Sequence, residues 1–292
     1  MKKTILSICK RSIVLVLVLV MLLSADTVFA SETYINTTAD TTATDTTTTE
    51  ALEQTIGVDE PLLVFKASDV KKKARRQNIY AYAYGTLSFK KISGSSKLSI
   101  TKKTGYVKVK KKTKAGIYKM KVQITAGATG DYKKTKITKT IKVIVAKDKN
   151  YVNQYCKAIA KNYAKNGMSV IQKLAAVSSK FTCGDFKYST KYTSLDKVIS
   201  TKSGTCWSAG QVLAKVCQKL GYKATLRSAI NDKMSRYPSG ITFGSDHYNV
   251  KVVAKGKTYY IDATPQSYLV YVSSSKKPLY YSIGSWVLID EE

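Results

Sequence analysis

A single histidine, His247, stands among 292 residues, so imidazole chemistry in this chain has one place to occur. Two other stretches carry groups that could work with it. Gly204-Thr205-Cys206-Trp207 sets a thiol directly ahead of the run Trp207 to Leu220. In that run Ala209, Leu213, Val216, Cys217 and Leu220 recur close to a 3.6-residue period, and Gly221 follows where a helix-ending glycine belongs. Cys206 is therefore expected at a helix N-terminus, where unpaired N–H groups and the macrodipole favour thiolate over thiol. Cys217, on the same helix, lies eleven residues and about 16 Å further along, too far to pair with Cys206.

The third group is Asp262, near the end of a strand-like run, Thr258 to Ala263. A companion run, His247 to Val253, precedes it across Ala254-Lys255-Gly256-Lys257. A two-residue Lys255-Gly256 loop would pair Ala254 with Lys257, set Asp262 opposite Asn249 and make His247 its diagonal neighbour on one face. That spacing brings a carboxylate within reach of an imidazole. A three-residue loop would put the two on opposite faces. In chain order the three groups supply a nucleophile (Cys206), a base that takes and returns its proton (His247) and a group that fixes the base's tautomer (Asp262). That is the equipment of acyl transfer through a thioester. By analogy with other thiol acyl-transfer enzymes, the backbone N–H of Cys206 would join an oxyanion site. One histidine, with cysteines at 156, 183, 206 and 217, offers no CxxC or HxxxH spacing, so neither a metal nor a cofactor is expected.

Stepwise along the chain, the elements that must hold these groups divide in two. From Pro61 to Ala146 short strand-like runs follow one another, separated by glycine- or lysine-rich turns: Ile79 to Tyr84, Leu87 to Ile92, Lys97 to Thr101 and Tyr106 to Lys110. Ile117 to Thr125 alternates Tyr118, Met120, Val122 and Ile124 with lysines and glutamine, and Ile137, Ile141, Val143 and Val145 share a face further on. This spacing predicts an antiparallel sandwich. Tyr80, Tyr82 and Tyr84 would share one face of it, as a hydroxyl-rimmed packing surface or a ligand-binding one. After Lys147 the period becomes helical: Val152, Tyr155, Cys156, Ile159 and Tyr163 mark one helix, and Ser169 to Ser178 a second. Cys156 thus reads as a core cysteine, and a Cys156–Cys183 bridge stays open. Residues 182–203 look irregular apart from a helical turn around Leu195 to Ile199, and Ala224 to Ala229 reads as a strand before a polar loop, Asn231 to Asp246.

The N-terminus carries its own signals. Lys2, Lys3, Lys10 and Arg11 precede an unbroken apolar run, Ile13 to Leu23, and Val28-Phe29-Ala30 offers a signal-peptidase site. Eleven apolar residues fall short of the roughly 20 that span a bilayer, so residues 1–30 are expected to be a cleaved secretory signal that takes Cys9 with it. No transmembrane segment is expected after cleavage. Residues 31–60 hold eleven threonines, seven acids and no lysine or arginine, the composition of a spacer. Residues 61–292 hold 45 of the 49 basic side chains and 11 of the 19 acidic ones, an excess of 34. Such a field implies an anionic neighbourhood. Only Arg75, Arg76, Arg227 and Arg236 there are arginine, and lysine lacks the planar fork used in base and phosphate recognition. With export, that favours anionic cell-wall polymers as partners and excludes nucleic-acid readout.

Three ordered segments carry a family resemblance. Gly204-Thr205-Cys206-Trp207, Asp246-His247-Tyr248-Asn249-Val250 and Tyr259-Tyr260-Ile261-Asp262-Ala263-Thr264-Pro265 resemble the signature segments of transglutaminase-like (papain-like thiol) domains. The resemblance covers about residues 150–270. It implies Cys206 as nucleophile, His247 as base and Asp262 as orienting group, in a helical lobe packed on an antiparallel sheet spanning 147–292. It also implies a protein or peptide substrate, peptidoglycan peptides included, and either glutamine cross-linking or amide hydrolysis. The sequence departs from the pattern at Asn249, where an aromatic often stands, and no upstream oxyanion side chain is assigned. Residues 61–146, through Gly105 to Val109, Ala115 to Val122 and Asp131-Tyr132-Lys133, resemble bacterial immunoglobulin-like surface modules. The expected fold class is thus α+β, a β-sandwich followed by a papain/transglutaminase-like domain. The competing reading is a non-catalytic wall-binding protein with a degenerate enzyme domain.

Overall fold

The strands from residue 57 to 146 alternate in burial because two sheets close over one apolar core. The computed structural model describes residues 50–228, 248–268, 270 and 272–274. The expected signal, most of the threonine-rich spacer, the polar loop and His247 lie outside the described residues. In chain order the first part comprises β1 (Gly57–Val58), β2 (Leu62–Lys66), α1 (Ala67–Lys72), β3 (Arg75–Asn78), β4 (Ala81–Tyr82), β5 (Leu87–Gly94), β6 (Leu98–Ile100), β7 (Tyr106–Val109), β8 (Gly116–Ala126) and β9 (Thr135–Ala146). One sheet has the order β2-β9-β8-β5, a second β3-β7-β6, and β1 pairs with β4. Met120, Val122 and Ile124 of β8 meet Val107 and Val109 of β7 in a shared core, while Lys119 and Lys121 point to solvent.

Three expectations are corrected here. The β2–β9 pairing is parallel, in register Leu62↔Lys142 to Lys66↔Ala146, inside an otherwise antiparallel sheet. The strand expected over 79–84 shrinks to Ala81–Tyr82 and a separate one forms earlier, over Arg75–Asn78; between them Tyr80 has a left-handed φ of 48°. The Tyr80 N–H donates to the Asn78 side chain at 2.6 Å instead of to a ladder, an Asx turn. The ordered structure also starts before residue 61. Gln54 is buried and binds the Gly127 and Lys133 carbonyls, and Glu60 is buried too, so the composition boundary of the spacer is not the structural one.

The second part comprises α2 (Tyr151–Tyr163), α3 (Val170–Thr182), β10 (Lys187–Tyr188), α4 (Leu195–Thr201), β11 (Ser203–Gly204), α5 (Cys206–Lys219), β12 (Lys223–Ser228), β13 (Tyr248–Ala254), β14 (Lys257–Ile261) and β15 (Val272–Ser273). The sheet order is β12-β13-β14-β15, antiparallel throughout. Leu174, Val177 and Phe181 of α3, Val212, Leu213 and Val216 of α5 and Val250, Val252 and Ile261 of the sheet share a core. α3 begins as expected, at a Ser169 cap that accepts from Gln172 N while the Gln172 side chain answers. It runs four residues past Ser178 because Ser179 to Thr182 are buried on every side. The chain is thus mixed α+β, with several antiparallel sheets and few helices.

Residues 53–292 form one unit. Leu63 and Phe65 of β2 enter the first core while Val64 enters the second, and Ala146 of β9 joins it there. That double burial explains why Leu62 to Phe65 is continuously apolar rather than alternating. The open edge of β2 is paired by an asparagine: Asn162 of α2 accepts from Leu62 N at 3.2 Å and donates to Leu62 O at 2.8 Å.

Candidate functional site

Cys206 is the first residue of α5. Thr205 caps the helix, accepting from Ser208 N at 3.3 Å, while Ser208 Oγ accepts from Thr205 N at 2.9 Å. Serine here does the work usually given to glutamate in a reciprocal cap. Gly204 is needed for a steric reason: a Cβ there would fall 2.5 Å from Ser208 Oγ and 3.1 Å from Val198 Cγ1. Gly210 is the point at which α5 presses on the sheet, its missing Cβ 2.7 Å from Leu226 Cδ1. Cys206 is 8% exposed, and the large aromatics nearest in the chain and across the turn, Trp207 and Tyr188, are 37% and 39% exposed.

Two of the other described cysteines are core residues. Cys156 and Cys217 are fully buried, and burial pushes both thiols up, Cys156 to about 12. Cys156 Sγ sits 3.9 Å from Val212 O. No disulfide is present among the described residues, so the Cys156–Cys183 bridge left open by the sequence is not formed.

The hairpin that carries Asp262 has the two-residue loop that the site requires. Ala254 pairs with Lys257 and Val250 with Ile261, across Lys255 and Gly256 at φ of 50° and 77°. Left-handed conformations at both loop positions belong to a type I′ turn, whose twist matches the flanking strands. This is the even register preferred on sequence grounds; His247, which it was expected to bring beside Asp262, lies outside the described residues. Asp262, 2% exposed, follows the last residue of β14, accepts from Thr264 N at 2.5 Å, and has its backbone carbonyl bound by Ser178 Oγ at 2.6 Å. Around it Asn249 Oδ1, Thr264 Oγ1 and Ser267 Oγ are buried with no hydrogen-bond partner among the described residues.

The turn of Cys206 and the segment of Asp262 are joined by a residue that the sequence did not single out. Tyr188 of β10 pairs in parallel with Gly204, and its N–H donates to Gln266 Oε1 at 3.0 Å, four residues beyond Asp262. Burial and, second to it, Cys206 push the Tyr188 phenol up. Nothing in a two-residue strand between polar loops marks it out in advance. One residue thus bridges the turn that holds Cys206 and the segment that follows Asp262; His247 lies outside the described residues, next to Tyr248, the first residue of β13.

No family model matches the chain, and no curated protein matches it. Among solved structures, two alpha-galactosidase candidates from Bacteroides fragilis share 14% and 15% identity over 33% of this chain, with TM-scores of 0.24 and 0.25. A protocadherin gammaB7 EC3-6 cis-dimer shares 11% identity over 34%, with a TM-score of 0.25. The chain spans only 18% to 26% of those proteins, and likeness at this level carries no argument about activity. No helix among the described residues is long and apolar enough to cross a membrane.

Proposed function

We propose that this chain is an exported thiol acyl-transfer enzyme, an immunoglobulin-like sandwich followed by a transglutaminase-like domain that acts at the cell wall. The observation that carries the reading is the placement of Cys206 at a reciprocally capped helix start, joined through Tyr188 to the segment of Asp262. The Cys206 thiolate attacks the acyl carbon of a glutamine carboxamide or a peptide bond. His247, oriented by Asp262, gives its proton to the departing amine, leaving a thioester. A lysine amine or water then attacks the thioester, His247 takes the proton of the incoming nucleophile, and the thiolate is regenerated. The Cys206 N–H meets the oxyanion. Trp207 and Tyr188 offer an aromatic rim on which a peptide could lie.

The excess of 34 basic side chains in residues 61–292 also supports a second reading, adhesion to an anionic polymer without chemistry. One comparison separates them. The mature protein and Cys206→Ala are incubated with a glutamine peptide plus labelled amine, and separately with wall peptides. Cys206-dependent product is expected in at least one; equal background from both proteins in every assay rejects the enzyme.

A further inference from the structure

Two residues with large side chains adopt left-handed backbone conformations on either side of one buried cluster. Tyr80 (φ 48°) comes from the N-terminal part, and Lys202 (φ 51°) caps α4 immediately before the turn that holds Cys206. For a bulky residue that conformation is a real outlier, and it persists only where surrounding contacts enforce it. The contacts are on view. Lys180, 2% exposed, reaches Glu60 at 2.5 Å and Asp185 at 2.9 Å, and the other oxygen of Asp185 contacts the Lys202 ammonium. Tyr163 donates to Glu60 at 2.8 Å. The Tyr80 ring covers both amines, 4.8 Å from Lys180 Nζ and 5.8 Å from Lys202 Nζ.

Two amines face two carboxylates, the kind of pairing that buried charges need. Burial pushes the Glu60 carboxyl up, but the Lys180 and Lys202 ammoniums outweigh it and hold it below the usual range. Burial opposes the charge on Lys180 as well, and Glu60 more than offsets that. For Lys202, burial and then the neighbouring Lys180 push the amine down to about 7, against the pull of Glu60.

The cluster has a direction. Glu60 and Tyr80 belong to the N-terminal part; Lys202 leads into Ser203-Gly204 and the Thr205 cap, and its carbonyl accepts from Lys187 N at 2.9 Å, fixing β10 against β11. The other end of α4 is held from the same side, where Lys66 of β2 meets Asp196 at 2.6 Å. A helix pinned at both ends by the N-terminal part therefore sets where Gly204 and Cys206 stand.

We propose that Glu60 and Tyr80 are positioning residues for the Cys206 turn, acting through Lys180, Asp185 and Lys202, so that the sandwich is part of the catalytic unit rather than a separate adhesive module. This rests on the reading of Cys206 as the nucleophile. Two full-length variants test it. Glu60→Gln with Lys180→Met removes both members of the buried pair, an exchange that proteins often tolerate in stability while it cuts the link. Asp185→Asn keeps shape and removes charge at the more exposed end. In each, the pH profile of Cys206 alkylation is read by peptide mass spectrometry beside the unfolding midpoint. The expected result is a folded protein whose Cys206 rate at neutral pH differs from wild type by about tenfold or more, as small displacements of a reacting atom cause. Where product is formed, turnover should fall with KM unchanged. Profiles that superimpose on wild type in a variant that folds overturn the proposal. A wild-type Cys206 that alkylates like an ordinary thiol and forms no product refutes the enzyme reading instead, while the ratio of variant to wild-type rate still decides the positioning role.

Discussion

Replacing Gly204 by alanine adds one methyl group at the tightest point of the Cys206 turn. The new carbon would lie 2.5 Å from Ser208 Oγ and 3.1 Å from Val198 Cγ1, against about 3.5 Å for comfortable contact. Neither neighbour can yield into solvent, because Ser208 and Val198 are both fully buried. Moving Ser208 breaks its 2.9 Å bond from Thr205 N and unseats the cap, which costs about 1 kcal/mol. Overpacking adds about 1–3 kcal/mol, and the stiffer unfolded chain returns about 0.4–1 kcal/mol. The net destabilisation is therefore about 1–3.5 kcal/mol. Urea unfolding at constant m-value measures it, with two controls. Thr205→Ala, which loses only the cap acceptor, should cost about 1 kcal/mol. Gly210→Ala places its methyl 2.7 Å from the movable tip of Leu226 and gains about 1 kcal/mol of helix propensity, so it should stay within about 1 kcal/mol of wild type. A Gly204→Ala protein within about 0.5 kcal/mol of wild type would refute the steric argument, and a Gly210→Ala protein that loses more than Gly204→Ala would refute the ranking.

Two predictions concern the buried charges. Glu60→Gln alone leaves the buried Lys180 to share Asp185 with Lys202, and should cost about 2–3 kcal/mol in chemical denaturation, below the roughly 3–5 of a charge left wholly unpaired; adding Lys180→Met should recover most of that. Asp59, beside the cluster, has its carboxyl pushed up to about 6 by burial and then by Glu60, against the pull of Lys165 and Lys180. Between about pH 4 and 6 the folded chain holds a proton that the unfolded chain has lost, so stability falls as pH rises through that window. Asp59→Asn should therefore stabilise by about 1–2 kcal/mol above pH 6, the full shift discounted for partial exposure, with the gain vanishing below pH 4. Unfolding midpoints at pH 4 and pH 7.5 check both the size and the sign.

Local pattern carried much of this molecule. Val152 to Tyr163 and Trp207 to Leu220 each spell a 3.6-residue stripe, and the helices fall within a residue of where the stripes place them. The hairpin around Lys255-Gly256 was legible, with a two- or a three-residue loop, and the structure has the two-residue one. What was illegible depends on partners distant in sequence. Lys180 on a buried helix face contradicts any amphipathic reading until Glu60, 120 positions earlier, is seen to neutralise it. Arg75 to Asn78 is a strand despite its polarity because β7 supplies the pairing and Asp69 an ion partner at 3.2 Å. Glu60 itself sat in a stretch whose composition reads as spacer. At the site, Cys206 and Asp262 were legible as residue types at meaningful spacings; Tyr188, which joins their segments, was not, because parallel pairing of two-residue strands leaves no trace in the pattern.

The central claim, that Cys206 is a thiolate-forming nucleophile made so by His247 and its own helix start, is tested most directly by the pH dependence of its alkylation. Wild type and His247→Ala are each treated with a thiol-specific reagent from pH 5 to 10, and the rate at Cys206 is read beside that at Cys183. The account predicts a Cys206 rate already near its plateau at neutral pH in wild type, shifting toward the ordinary thiol range of about 8.5 in His247→Ala. Identical profiles in the two proteins, both rising with the ordinary thiol, would contradict it.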